Sequence, residues 1–254
     1  MTAETVCEIC GGTGWKIVER AGLSGAERCS CAAQVRVQHI RESAGIPPNY
    51  GNASLDNFQV PADNPTARAG LGAVLMQVKS FVREFPASER PGLLLVGNPG
   101  TGKTHLAVAA LRALNDKGYE GLFFDYQNLL DRIRSGYDSA SGTSDREAYR
   151  TALETPVLLL DDLGSHRVTD WVEDTITAIM TYRCNHKKPL IATTNLPDDD
   201  ITGPVMDYRS AGGVAVNRKT LAENIGMRAR SRLFEMCRVV KMPAVEDYRI
   251  KRGR

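Results

Sequence analysis

The stretch Leu93-Leu94-Leu95-Val96-Gly97-Asn98-Pro99-Gly100-Thr101-Gly102-Lys103-Thr104 decides the fold. Four consecutive apolar residues read as a buried strand, the glycine-rich run as a loop, and the segment from His105 through Leu111 as a helix. Strand, glycine loop and helix in that order are the setting of a phosphate-binding loop. Gly97, Asn98, Pro99, Gly100, Thr101 and Gly102 let the backbone curl so that successive N–H groups point inward at the phosphates. The helix that starts beyond Lys103 adds its partial positive charge. Lys103 reaches the β- and γ-phosphates, the Thr104 hydroxyl binds Mg²⁺, and His105 follows at the edge of the site. The glycines alone would be unremarkable turn formers; the full G-x4-G-K-T string in this context predicts a nucleotide site.

Working outward, Val157-Leu158-Leu159-Leu160-Asp161-Asp162 is a second apolar run, and it ends in paired carboxylates. In an open parallel sheet, ligands collect at the carboxyl ends of the strands, so this pair is expected to face the loop from the adjacent strand. Asp161 then completes the Mg²⁺ shell with Thr104, and Asp162 orients or deprotonates the attacking water. A turn capping the next helix is the plainer reading of Asp-Asp-Leu-Gly. A third run, Pro189 to Thr194, ends in Asn195, which is placed to hydrogen-bond a γ-phosphate or its water, or simply to form a turn. Leu122–Phe124 and Arg238–Met242 supply two more short strands. Leu71, Val74, Leu75, Val78, Phe81, Val82 and Phe85 recur at helical spacing. Strands alternating with helices imply an α/β fold with a parallel five-stranded sheet flanked by helices.

The 254 residues suffice for one such core and a small accessory module, and a composition of 42% hydrophobic and 24% charged residues is ordinary for a globular chain. No apolar run has the length of a membrane span and the start is not a signal peptide, so a cytoplasmic protein with no membrane partner is expected. Net charge is only +2, which excludes a uniformly basic coat. Residues 218–254, however, carry eleven Lys/Arg against four Asp/Glu, a nucleic-acid footprint or a solvated helix face.

Four of the six cysteines fall in the first 31 residues, as Cys7-x2-Cys10 and Cys29-x-Cys31. Four thiolates in two close pairs suit tetrahedral Zn²⁺, with disulfides as the alternative, disfavoured where no secretion signal is present. So short a module buries little, and metal binding would supply most of its folding free energy. Cys184 and Cys237 are expected to be buried structural thiols. The Gly45-Ile46-Pro47-Pro48 break marks a boundary: a zinc-binding module over 1–45, a linker over 46–66 and the ATPase domain over 67–254. Late in the chain, Arg228 and Arg232 lie four apart and share a helix face, either as surface charge or as cations for a neighbouring subunit's γ-phosphate.

These residues together resemble the DnaC/DnaI/IstB group of AAA+ ATPases, most closely its replicative helicase loaders. The likeness rests on the cysteine front, the Ile46-Pro47-Pro48 to Phe58 connector, the loop continuing into His105-Leu106-Ala107, the Asp161-Asp162 pair, Thr193-Thr194-Asn195 and Arg232-Leu233-Phe234-Glu235-Met236-Cys237. It implies Walker A roles for Lys103 and Thr104, Walker B roles for Asp161 and Asp162, and a first-sensor role for Asn195. It further implies an arginine finger acting in trans at Arg232 with Arg228 beside it, and a second sensor at Arg249. The implied function is ATP-dependent loading of a replicative DNA helicase onto single-stranded DNA, the zinc module gripping the helicase and ATP acting as an assembly switch with slow hydrolysis. Single-stranded DNA would be gripped from about 126–152, with Arg132 and Arg134 as candidates. A transposition helper of the IstB kind and a nucleotide-gated binding module without turnover are the alternatives. The stretch 197–222 is longer than the family's usual connection, which loosens the register of the two arginines.

Overall fold

The computed structural model describes residues 7–20, 22–138, 144–202 and 219–252. A hairpin of β1 (Trp15–Arg20) and β2 (Leu23–Arg28) is followed by α1 (Ser30–Ser43) and a 3-10 turn at Pro48–Tyr50. Helices and strands then alternate as α2 (Pro65–Glu84), β3 (Gly92–Val96), α3 (Lys103–Asp116), β4 (Gly121–Asp125), α4 (Tyr126–Asp138), α5 (Ser144–Glu154), β5 (Val157–Asp161), α6 (Asp170–Asn185) and β6 (Leu190–Thr194). The chain closes with α7 (Asp199–Thr202), α8 (Leu221–Ile225), α9 (Met227–Met236), β7 (Cys237–Lys241) and α10 (Tyr248–Arg252).

Strands β3 to β7 form one sheet in the order β4-β5-β6-β3-β7, and every neighbouring pair is parallel. Because side chains alternate across a strand, each apolar run feeds two cores. Leu94, Val96, Leu158, Leu160, Leu190 and Ala192 pack with α4, α5, α6, α8 and α9 on one face. Leu93, Leu95, Leu159, Ile191 and Val240 pack with α2 and α3 on the other. The expected five-stranded, helix-flanked α/β sheet is therefore present. One expectation changes: β5 is not adjacent to β3, because β6 lies between them. Chain order cannot reveal this, since a crossover helix is long enough to skip a strand position.

Helix ends follow from local chemistry. Pro65 sits at the first turn of α2, where its missing N–H costs nothing, and the Asn64 side chain accepts from Ala67 N at 2.9 Å. Arg183, on α6, is fully buried and donates to the carbonyls of Ala152, Leu153, Thr155, Pro156 and Pro189. It thereby caps the end of α5 and ties together the segments entering β5 and β6. Burial lowers its pKa to about 9.

The front of the chain docks on this body. The Phe123 N–H of edge strand β4 donates to Ala44 O at 2.8 Å, covering part of an otherwise open edge. Arg41 pairs with Asp116 at 2.6 Å. Residues 46–60 run along α3: Arg112 donates to Ala53 O, His105 Nε2 contacts Ser54 O, and Phe58 lies against Gly102. No described helix is long and apolar enough to cross a membrane.

Candidate phosphate-binding site

The loop after β3 turns through Gly100 at φ +72° and Gly102 at φ +92°, left-handed conformations that glycine adopts without a Cβ clash. A Cβ at Gly102 would also meet the Phe58 ring at 2.7 Å. Thr101 Oγ1 and Lys103 Nζ both donate to Asn98 O, at 2.9 and 2.8 Å, so the loop closes on itself. Lys103 is buried, and that burial lowers its pKa to about 8, opposed by the nearby charges of Asp162 and Asp161. An ammonium held in so little water interacts strongly with any anion that enters.

The interposed strand β6 builds the rest of the site. Thr193 Oγ1 donates to Asp161 Oδ1 at 2.6 Å and accepts from Asp162 N at 2.9 Å. Leu163 N donates to Thr193 O at 2.7 Å, so the exit of β5 is stapled to β6. Asp162 is held at φ +58°, a conformation rare for a side-chain-bearing residue. Asn195 Nδ2 donates to Asp162 Oδ1 at 2.5 Å. Asp161 accepts from Thr193 Oγ1 and the nearby Thr104 hydroxyl also favours its ionised form; burial nevertheless raises its pKa, and the like charge of Asp162 adds to that rise. Thr104, Asp161, Asp162, Asn195 and Lys103 thus converge at the carboxyl edge of the sheet. A neighbouring hydroxyl and carboxylate are the donor set a hard cation such as Mg²⁺ takes.

The charged groups acting on Lys103 are Asp162, Asp161, Arg249 and Asp247, so the end of the chain also reaches this site. Arg249 is exposed, and its N–H donates to Asp247 Oδ1 at 2.8 Å. Arg228 and Arg232 are not among those groups. Arg228 is exposed and Arg232 pairs with Glu235 at 2.7 Å within α9. Between them Arg230 turns inward to Asp198, with both contacts at 2.6 Å, and to Asp200, and its guanidinium stacks on Phe234. Arg132 and Arg134 are exposed on α4, over Phe124 and Trp171. Within the long 197–222 stretch, 203–218 lie outside the described residues, as do 139–143 within 126–152.

At the front, the four sulfurs of Cys7, Cys10, Cys29 and Cys31 lie within 4.8 Å of one another, and all four thiols are free. Cys7–Cys29 at 3.8 Å matches the roughly 3.8 Å edge of a tetrahedron with Zn–S bonds of about 2.3 Å, and Cys10–Cys31 at 3.3 Å is somewhat shorter. The donor set therefore fits zinc. The hydrogen bond between Cys10 and Cys31 lowers the Cys10 thiol to about 6 and raises that of Cys31, so within the pair the thiolate is favoured on Cys10. The hairpin β1–β2 carries the chain from one cysteine pair to the other. Elsewhere Cys237 is buried as expected, whereas Cys184 is only partly so.

Residues 77–207, just over half of the chain, match the family model "IstB-like ATP binding protein". The chain belongs to this family. The IstB-like segment spans the phosphate loop, the aspartate pair and Asn195 together. Curated relatives of the chain include YqaM, an uncharacterized protein of Bacillus subtilis, 25% identical over 69% of this chain and 56% of its own length. Another is the replicative helicase loader DnaC of Escherichia coli, 24% identical over 66% of this chain and 65% of its own. The chain thus spans less than two thirds of either relative. Among solved structures, a crystal structure of the DnaC helicase loader superposes with a TM-score of 0.60, at 35% identity, over 78% of this chain and all of that one. The AAA+ fold of the DnaC type is shared.

Several participants escaped the sequence reading. Thr193 looked like one more strand residue, and Phe58 belonged to a connector read without a chemical role. Arg230 lies two residues from Arg228 and two from Arg232, which on a helix turns it away from their face and towards the body. That signal was available. The hairpin was not legible, because its residues alternate weakly and are almost all exposed.

Proposed function

We propose that this protein is an ATP-dependent loader of a replicative DNA helicase onto single-stranded DNA. The observation that carries the reading is the convergence of Lys103, Thr104, Asp161, Asp162 and Asn195 at one sheet edge, in a chain related to a protein named a replicative helicase loader. In this reading the loop from Gly97 to Thr104, with His105 beside it, holds the polyphosphate, and Thr104 with Asp161 would hold Mg²⁺, which when bound would supply charge neutralisation at the phosphates. Asp162, kept in place by Asn195, orients the water. Arg249 meets the same nucleotide from the end of the chain. Arg232, half-buried on α9 and paired with Glu235, serves a neighbouring subunit's γ-phosphate with Arg228, which is exposed, beside it. Arg132 and Arg134 contact the DNA backbone, and the module over 1–45, zinc-bound through its four cysteines, grips the helicase across a linker over 46–66. ATP binding then acts as an assembly switch and slow hydrolysis resets it.

Steady-state phosphate release tests the enzymatic half of this reading. The expected result is slow hydrolysis by the wild type, stimulated by single-stranded DNA and reduced ~100-fold or more in Asp162→Asn. Tight ATP binding with no phosphate release, with or without DNA, would instead make the protein a nucleotide-gated binding module.

A further inference from the structure

The segment between β7 and α10 lies across the phosphate loop in a way that the proposed function does not use. Tyr248, the first residue of α10, donates its N–H to Gly100 O at 3.2 Å and its Oη to Gln59 Oε1 at 2.8 Å. Immediately before it the Asp247 side chain rests directly on Gly100, and a Cβ there would overlap its carboxylate. Asp247 Oδ1 also accepts from Arg249 N, which orients the carboxylate over the loop. A glycine at position 100 is therefore required twice, by its positive φ and by this carboxylate. An anionic side chain packed on a loop that collects anions is electrostatically opposed to the loop's ligand. The neighbouring charges are Lys103 and Arg249, which attract a polyphosphate, and Asp161 and Asp162, whose repulsion a divalent cation can offset. Asp247 belongs to a different segment from the Thr104–Asp161 pair that is suited to that cation.

We propose that Asp247 is a specificity-determining residue that grades nucleotide affinity by phosphate charge, opposing the triphosphate more than the monophosphate, so that nucleotide uptake works against the contact between the C-terminal segment and the loop. This inference rests on the reading of the loop as a phosphate site. Its physical basis is Coulomb repulsion in a partly desolvated site, which grows with ligand charge and shrinks as salt screens it. The side chain also has a structural duty, since its oxygen holds the first turn of α10. The test must separate charge from that duty. Asn keeps an oxygen acceptor for Arg249 N and removes the charge, and Ser is a second neutral residue able to accept at that position.

The experiment is titration of AMP, ADP and ATP into the full-length wild type, Asp247→Asn and Asp247→Ser at low and high salt, each protein first shown to be folded by its thermal transition. The expected result is ATP bound about tenfold tighter by both variants, ADP tightened by less, AMP changed by under about twofold, and the gain for ATP shrinking at high salt. Unchanged or weaker ATP binding in the variants overturns the inference, as does an equal gain for all three nucleotides. A wild type that takes up no ATP overturns the phosphate-site reading itself and this inference with it.

Discussion

Lys103 shows most directly how the fold tunes a side chain for its ligand. Burial lowers its pKa to about 8, while Asp162 and Asp161 partly restore the protonated form. Only that form attracts phosphate, so the sign is fixed: affinity for ATP is full below pH 8 and declines as pH rises through 8 to 9. Titration at pH 7.5 and 9.5 is expected to show roughly tenfold weaker binding at the higher pH, with proton uptake on binding near pH 8.5. A flat profile would mean that the lysine remains charged throughout. The identity and spacing of Lys103, Thr104 and the aspartates were legible in the sequence, because a glycine loop between strand and helix has few other uses. Thr193 was not. Its hydroxyl matters only because β6 lies between β3 and β5, and that depends on which strands pair rather than on what precedes what.

Among the elements, β6 and α6 do most to hold the site. The staple from Thr193 and Leu163 fixes the exit of β5, and Arg183 secures the entries of β5 and β6 through five carbonyl groups. Arg183→Met keeps much of the apolar stem and withdraws every donor. Leaving those buried carbonyls unpaired, less the relief of burying no charge, is expected to cost ~2–4 kcal/mol in urea unfolding with an unchanged m-value. A loss under ~1 kcal/mol would mean that water replaces the guanidinium. The apolar strands and α2 were readable from periodicity because burial alone dictates them. Hairpin β1–β2 was hidden for the complementary reason: with nearly every side chain exposed, no hydrophobic pattern marks it, and the cysteines at its ends define the turn of chain instead.

For the whole molecule, the cysteine cluster and the phosphate loop are joined through residues 46–60, which touch Gly102 through Phe58 and His105 through Ser54. The resemblance stated from sequence reached both sites but treated what lies between as a linker, since the contacts of Phe58 are made across the fold. If the cysteine module grips the helicase, pull-down of the cognate replicative helicase should be lost after chelation and restored by Zn²⁺, while ATP binding persists. Capture unaffected by complete metal removal would assign the contact to another surface. The account as a whole stands or falls on the nucleotide site driving the loading step. Loading of the cognate helicase onto single-stranded DNA, with wild type and with Lys103→Ala in the presence of ATP, measures this directly: the account predicts loading by the first and none above background by the second, with zinc retained in both. Undiminished loading by Lys103→Ala would contradict it.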